Sequence, residues 1–278
     1  MSADKISLNK ESMDKYLKEV AKEYKRMGGR NVPAELILIG GASIVINYGF
    51  RGSTYDIDAM ILAASCMKDA INNVTDKFNL NNGWLNDSFK NTDSYTSKLA
   101  QYSKHYKTFS NVLNIRTVSD EYLLAMKLVA YRPYKHDISD IVGILLEHEK
   151  RGNPLTFDKI DTAVHNLYDG WDRISKEAQD ILREILSSKN LEELYDYYSA
   201  DEAEKKDMLI EFEQKYPKVL KTDNMADIIN SLKAKQQKQQ VVPETSESFD
   251  AKLERLRREM ENNKKTDQSR DDSFDIER

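Results

Sequence analysis

Two short apolar runs, at 36–39 and 57–62, each bounded by residues that a core cannot absorb, constrain this chain more than any other feature. The first, Leu36-Ile-Leu-Ile39, lies between Glu35 and the pair Gly40-Gly41. Consecutive aliphatics between turn residues read as a strand buried on both faces. The second, Asp56-Ile-Asp-Ala-Met-Ile-Leu62, reads as another buried strand with acids at its start. Between them, 42–48 has the pattern of a short helix and 49–55 that of a loop. Side chains alternate across a strand, so Asp56 and Asp58 fall on one face with Cα atoms about 6.5 to 7 Å apart, while Ile57 turns to the core.

Two carboxylates converging on one partly buried volume cannot both stay ionised without a cation. Hard oxygen ligands beside a phosphate site select Mg²⁺ or Mn²⁺, so the pair Asp56 and Asp58 is the expected metal site. Gly40 and Gly41 let the backbone come close to a ligand where the chain leaves the strand and begins a helix, with free N–H groups facing any phosphate there. Ser43 adds a hydroxyl at that point. Arg51, with Ser53 and Thr54 beside it, lies on the loop returning to the acids and could hold terminal phosphates through two parallel hydrogen bonds. An anion cradle of Gly40, Gly41, Ser43, Arg51, Ser53 and Thr54 next to a metal pair suits phosphoryl or nucleotidyl transfer.

The rest of the chain supplies an α+β frame, a small mixed sheet with flanking helices followed by a helical C-terminal region. Met13, Tyr16, Leu17, Val20, Ala21 and Tyr24 repeat as one face of a helix over 10–28 that Gly28 and Gly29 end. Residues 66–82 read as a helix, 83–94 as a polar loop and 108–118 as a third strand. From Ser119, which with Asp120 is a candidate cap, the pattern is helical: through Val129 until Pro133, then 137–149, 157–169 and 174–186. Further helical segments centre on Leu194 and on Leu209 to Phe212. Three parts are expected: a core at 1–118, a helical part at 119–233 completing the cleft, and a charged, disordered tail at 234–278. In that tail Phe249, Leu253, Leu256 and Met260 keep a 4-3-4 spacing, enough for a short partner-docking helix.

With 42 basic against 47 acidic residues the net charge is −5, which argues against attraction to nucleic acid over the whole surface and leaves a local basic cleft open. Cys66 is the only cysteine, so an intrachain disulfide and a multi-cysteine zinc site are both excluded. No apolar run reaches membrane-spanning length, and the N-terminus is too polar for a signal peptide. The expectation is a soluble, cytoplasmic protein with no membrane partner. His105, His136, His148 and His165 lack metal-binding spacing, and Trp84 and Trp171 read as packing residues.

A glycine-glycine turn, a spacer and Asp-x-Asp in a strand resemble the signature of polymerase β-type nucleotidyltransferases. The variant here, Gly40-Gly-Ala-Ser43 with Arg51-x-Ser-Thr-x-Asp-Ile-Asp58, is most similar to bacterial families related to abortive-infection type IV toxins. A second block, Tyr122 to Ile141 with Lys127, Arg132, Lys135, Asp137 and Asp140, extends the resemblance. It implies that an NMP moves from an NTP to an RNA, for instance a tRNA, or to a protein. It also implies a toxin or phage-defence role, with an antitoxin or other protein partner bound through the tail. In this reading Lys127 contacts the nucleotide phosphates, Asp137 sits near the site and Asp140 orients its neighbours.

Some readings stay open at this stage. Lys127 on an apolar helix could instead snorkel to water, and Asp137 and Asp140 could cap and brace a helix after Pro133. The mix of bases and aromatics from Tyr95 to Lys107 reads as an amphipathic surface helix, with single-stranded RNA binding as the sharper alternative. The superfamily's third carboxylate has its best local match at Asn114, an amide, which cannot act as a general base. Three readings follow: the third acid comes from elsewhere, such as Asp137; the enzyme is slow or substrate-assisted; or the chain is a catalytically inactive nucleotide-binding or scaffold protein of the same fold, which is the second hypothesis.

Overall fold

The computed structural model describes residues 6–221 and 224–240, with side chains through 235. Residues up to Lys221 form one compact unit, and Thr222 onward a second.

Helix α1 (Lys10–Arg26) starts at an Asn9 capping box closed by Ser12. Strand β1 (Ala34–Leu38) leads into α2 (Gly40–Asn47), and β2 (Ile57–Leu62) follows the loop at 49–55. After α3 (Cys66–Phe78) come the two-residue β3 (Leu85–Asn86) and the hairpin of β4 (Ser103–Phe109) and β5 (Leu113–Val118). The sheet order is β3-β2-β1-β5-β4, with β1 antiparallel to β2 and parallel to β5.

The unbroken aliphatic run in β1 follows from coverage of both faces. Leu36 and Leu38 join α1 and α3 in one core with Met13, Leu17, Val20 and Val74. Ile37 and Ile39 join a second core with Met60, Val118 and the helices beyond. Those helices are α4 (Asp120–Ala130), α5 (Asp137–Lys150), α6 (Phe157–Tyr168), α7 (Lys176–Ser187) and α8 (Leu191–Lys215). Secondary structure changes at 118/119, yet residues on both sides share that second core.

The structure departs from the expected elements where the signal was weak. The polar loop at 83–94 contains β3 and a 3₁₀ turn at Ser88–Asn91. Trp84 anchors it, buried, with its indole N–H donating to the Thr75 hydroxyl at 2.9 Å. The single strand expected at 108–118 is the end of β4, a turn and β5. Its turn residues Ser110 and Asn111 both take positive φ, a pairing that Asn-Gly announces far more clearly. The surface helix expected over Tyr95 to Lys107 is instead a 3₁₀ turn at Ser97–Ala100 and the edge strand β4. The segments around Leu194 and Leu209 are one 25-residue helix. Ser119 gives α4 no side-chain cap; the Tyr48 hydroxyl accepts the Asp120 N–H instead, at 3.0 Å.

In the second unit, α9 (Met225–Gln240) continues past Lys233, because Gln, Lys and Ala form helix without an apolar face. The expected tail helix at Phe249 to Met260, and the partner docking assigned to it, lie outside the described residues. Among those residues no helix is long and apolar enough to cross a membrane.

The loop at 49–55 is pinned from three sides. Its Thr54 forms a two-way backbone pair with Leu8. Phe50 packs between Tyr48 and Tyr195, and the Tyr195 hydroxyl donates to the Phe50 carbonyl at 3.1 Å. Gly143 on α5 lies directly beneath that ring, where a Cβ would come within 2.5 Å of Phe50 Cε2. Gly143→Ala should therefore destabilise the protein by about 1 to 3 kcal/mol through overpacking, although alanine is the better helix former. Thermal unfolding followed by circular dichroism checks this, and the loss should shrink in a Phe50→Leu background.

Candidate active site

The chain passes from β1 to α2 through Ile39, whose N–H donates to the Asp58 carbonyl at 3.0 Å. That bond ties the start of α2 to the acidic end of β2. Asp58 is the second residue of β2, while Asp56 stands one residue before the strand and is exposed. The two glycines serve different needs. Gly40 takes φ +54° at the first position of α2, the left-handed region that favours glycine. At Gly41 a Cβ would lie 2.8 Å from Thr54 Oγ1 and 3.0 Å from Arg51 Nη2, so its bareness admits the loop rather than a ligand.

A cavity of about 310 Å³ opens at this point. Gly40, Asp56, Asp58, Asn86 and Ser88 line one side, Ile39, Phe89, Leu123 and Met126 form an apolar wall, and Lys127, Arg132 and Lys135 bring positive charge. Burial, and then the neighbouring charge of Asp56, raise the Asp58 carboxyl above its ordinary range, against the pull of Asn86, Lys135 and Arg132. Burial and the adjacent Arg132 lower Lys135. A larger cavity of about 400 Å³ lies near the start of α1 and the end of α2, between Asn9 and Gly52, and no aspartate lines it.

Beneath the cavity wall lies a buried charge network. The Lys127 ammonium sits 2.8 Å from Asp137 Oδ1 and 2.7 Å from Asp140 Oδ2. Burial alone would lower Lys127; the two carboxylates overcome it and raise the amine above its usual value. Arg132 grips Asp137 through Nε at 2.8 Å, Nη2 at 3.2 Å and its backbone N–H at 3.1 Å. Asp137 is fully buried, and Lys127 and Arg132 hold its carboxyl far below the ordinary range despite burial. Arg51 Nη1 donates to Asp140 at 2.8 Å and its Nε to the Ser53 carbonyl at 3.1 Å.

Of the residues singled out in the sequence, Gly40, Asp56, Asp58 and Lys127 meet at this cavity. The remaining cradle residues do not line it. The Ser43 hydroxyl is buried and donates to the Leu38 carbonyl at 2.6 Å. Thr54 is buried, and Arg51 is turned toward Asp140 while its Nε donates to the Ser53 carbonyl. Lys127 does not snorkel, since its ammonium is enclosed with two carboxylates. Asp137 and Asp140 hold cations, and neither side chain caps α5.

Asn114 belongs to the far end of the sheet. It pairs in register with Glu35, four residues back from Ile39, and its amide donates to Glu35 Oε1 at 3.0 Å. At the level of Asp58 the same face of β5 presents Val118, which lies in the core. Among the described residues no group of three acidic, histidine or cysteine side chains is placed to hold a metal ion. Sequence reading missed Asn86 and Ser88, which sat in an unremarked polar stretch. Arg132 and Lys135 were visible in the second block without a role.

Removing Asp137 should leave the Lys127 ammonium buried with half its counter-charge. Asp137→Ala is expected to cost about 3 to 5 kcal/mol, measurable by chemical denaturation, whereas Lys98→Ala in the exposed Lys98 to Asp169 pair should leave the denaturation midpoint nearly unchanged.

Residues 15–150 match the model of a family described as a nucleotidyltransferase of unknown function (DUF6036). Searches of curated proteins and of solved structures returned no match. The matched segment contains the glycine turn, both acids and the Lys127 to Asp140 network. Over residues 15–150 the chain is thus similar to a nucleotidyltransferase family.

Proposed function

We propose that the protein transfers an NMP from an NTP, with Mg²⁺ or Mn²⁺, to an RNA or protein acceptor. The observation that carries the reading is the Asp56 and Asp58 pair opening on a cavity whose other walls are cationic and apolar. Two hard carboxylate donors, one half-buried and raised by its neighbour's charge, fit a divalent cation. Asp56 and Asp58 would hold it, and when bound it supplies neutralisation of charge on the reacting phosphate. Arg132 and Lys135 would receive the remaining phosphate charge, with Arg132 pre-oriented by its fork on Asp137. The wall of Phe89, Leu123 and Met126 suits the flat apolar face of a base. A toxin or phage-defence role is the physiological setting that the motif resemblance supports.

Among the described residues no third acid is grouped with the pair, and this favours a second reading, a catalytically inactive nucleotide-binding protein. The two separate cleanly in one experiment. Wild-type protein incubated with each labelled NTP, Mg²⁺ and total RNA or protein is expected to label the acceptor, and Asp56→Ala or Asp58→Ala to lower the rate by roughly 100-fold or more. Equal labelling by Asp56→Ala would sink the enzymatic reading, and calorimetric NTP binding without turnover would establish the second.

A further inference from the structure

One buried acid stands outside the site as described. Glu202, on α8, is only 1% exposed, and its Oε1 accepts the N–H groups of Ile138 at 2.8 Å and Ser139 at 3.3 Å. Those are the second and third residues of α5, whose own preceding residue, His136, supplies no cap. The missing cap thus comes from 64 residues further along the chain. The other oxygen, Oε2, is buried with no hydrogen bond, and His136 Nδ1 is 3.9 Å away.

The turn that Glu202 caps is the one that begins with Asp137 and includes Asp140. Asp137 in turn fixes Arg132 and Lys127, two of the three cations at the cavity. Where this turn sits therefore decides where the guanidinium is presented.

A neutral acceptor could receive the same two N–H groups without the cost of burying an ionisable carboxyl. Burial pushes the Glu202 carboxyl up to about 7, while Ser139 and the two backbone N–H groups pull the other way. An apolar side chain would avoid that penalty but leave the Ile138 and Ser139 N–H groups without this acceptor.

We infer that Glu202 is a positioning residue for the nucleotide cavity, holding the first turn of α5 so that Asp137 presents Arg132 and Lys127 at the wall. The inference rests on the reading of the cavity as a nucleotide site.

The test is calorimetric binding of non-hydrolysable ATP, GTP, CTP and UTP analogues with Mg²⁺ to the full chain, using the tightest. Glu202→Gln keeps an acceptor oxygen and should bind within about twofold of wild type. Glu202→Ala should bind roughly tenfold more weakly, at unchanged stoichiometry, and so should Glu202→Asp, which is one methylene too short. Glu202→Asp carries the test if the alanine variant does not fold. In an Arg132→Ala background the Glu202 substitutions should cause a clearly smaller further loss, because only the Lys127 route to the nucleotide remains. Affinity unchanged in both Glu202→Ala and Glu202→Asp, or a loss that adds in full to that of Arg132→Ala, overturns the inference while leaving the nucleotide site standing. No binding of any analogue by wild type would remove the nucleotide reading and the inference together.

Discussion

The Lys127 ammonium, withdrawn from water, sets the terms on which α4, α5 and the loop at 49–55 meet. A buried cation is tolerated only when carboxylates reach it with good geometry. Here Asp137 and Asp140, one turn apart on α5, both do so. Each acid then needs further compensation, which Arg132 and Arg51 provide from opposite sides. The chain of charges runs from the loop that precedes Asp56 to the segment that carries Arg132. One electrostatic requirement thus ties both walls of the cavity to the same helical turn.

This arrangement separates two kinds of charged residue that look alike in sequence. Asp56 and Asp58 face open volume and repel each other, whereas Asp137 and Asp140 face cations and are enclosed. Burial alone does not distinguish Asp58 from Asp137, since it acts to raise both. Direction does: the acid at the cavity is raised and Asp137 is lowered. At Asp58 burial and a like charge outweigh the nearby cations, whereas at Asp137 two cations outweigh burial.

Much of the fold was legible because its strongest signals are local. The aliphatic run of β1, the acids of β2 and the 3.6-residue repeats of α1, α4, α5, α6 and α7 each specify an element without help from elsewhere. What escaped were elements fixed by distant partners. Strand β3 exists because Trp84 is anchored on Thr75, and β4 because it pairs along β5 around a Ser-Asn turn of weak signature. The site divides the same way. The Asp-Ile-Asp spacing and Gly40 could be read directly, but whether Ser43 or Arg51 faces a ligand or the protein depends on the Leu38 carbonyl and on Asp140. Glu202 carried no signal at all, since nothing on α8 announces that the first turn of α5 needs an acceptor.

The hairpin has a consequence for the sheet as an assembly element. Among the described residues β4 is the outermost strand beside β5, and a free edge of this kind invites another chain to pair with it. Its register breaks between His105 and Lys107, and Lys104 and Lys107 are engaged with Asp120 and Asp14. The irregularity leaves only a few residues of straight backbone on either side, flanked by charge. The edge is a poor template for strand addition.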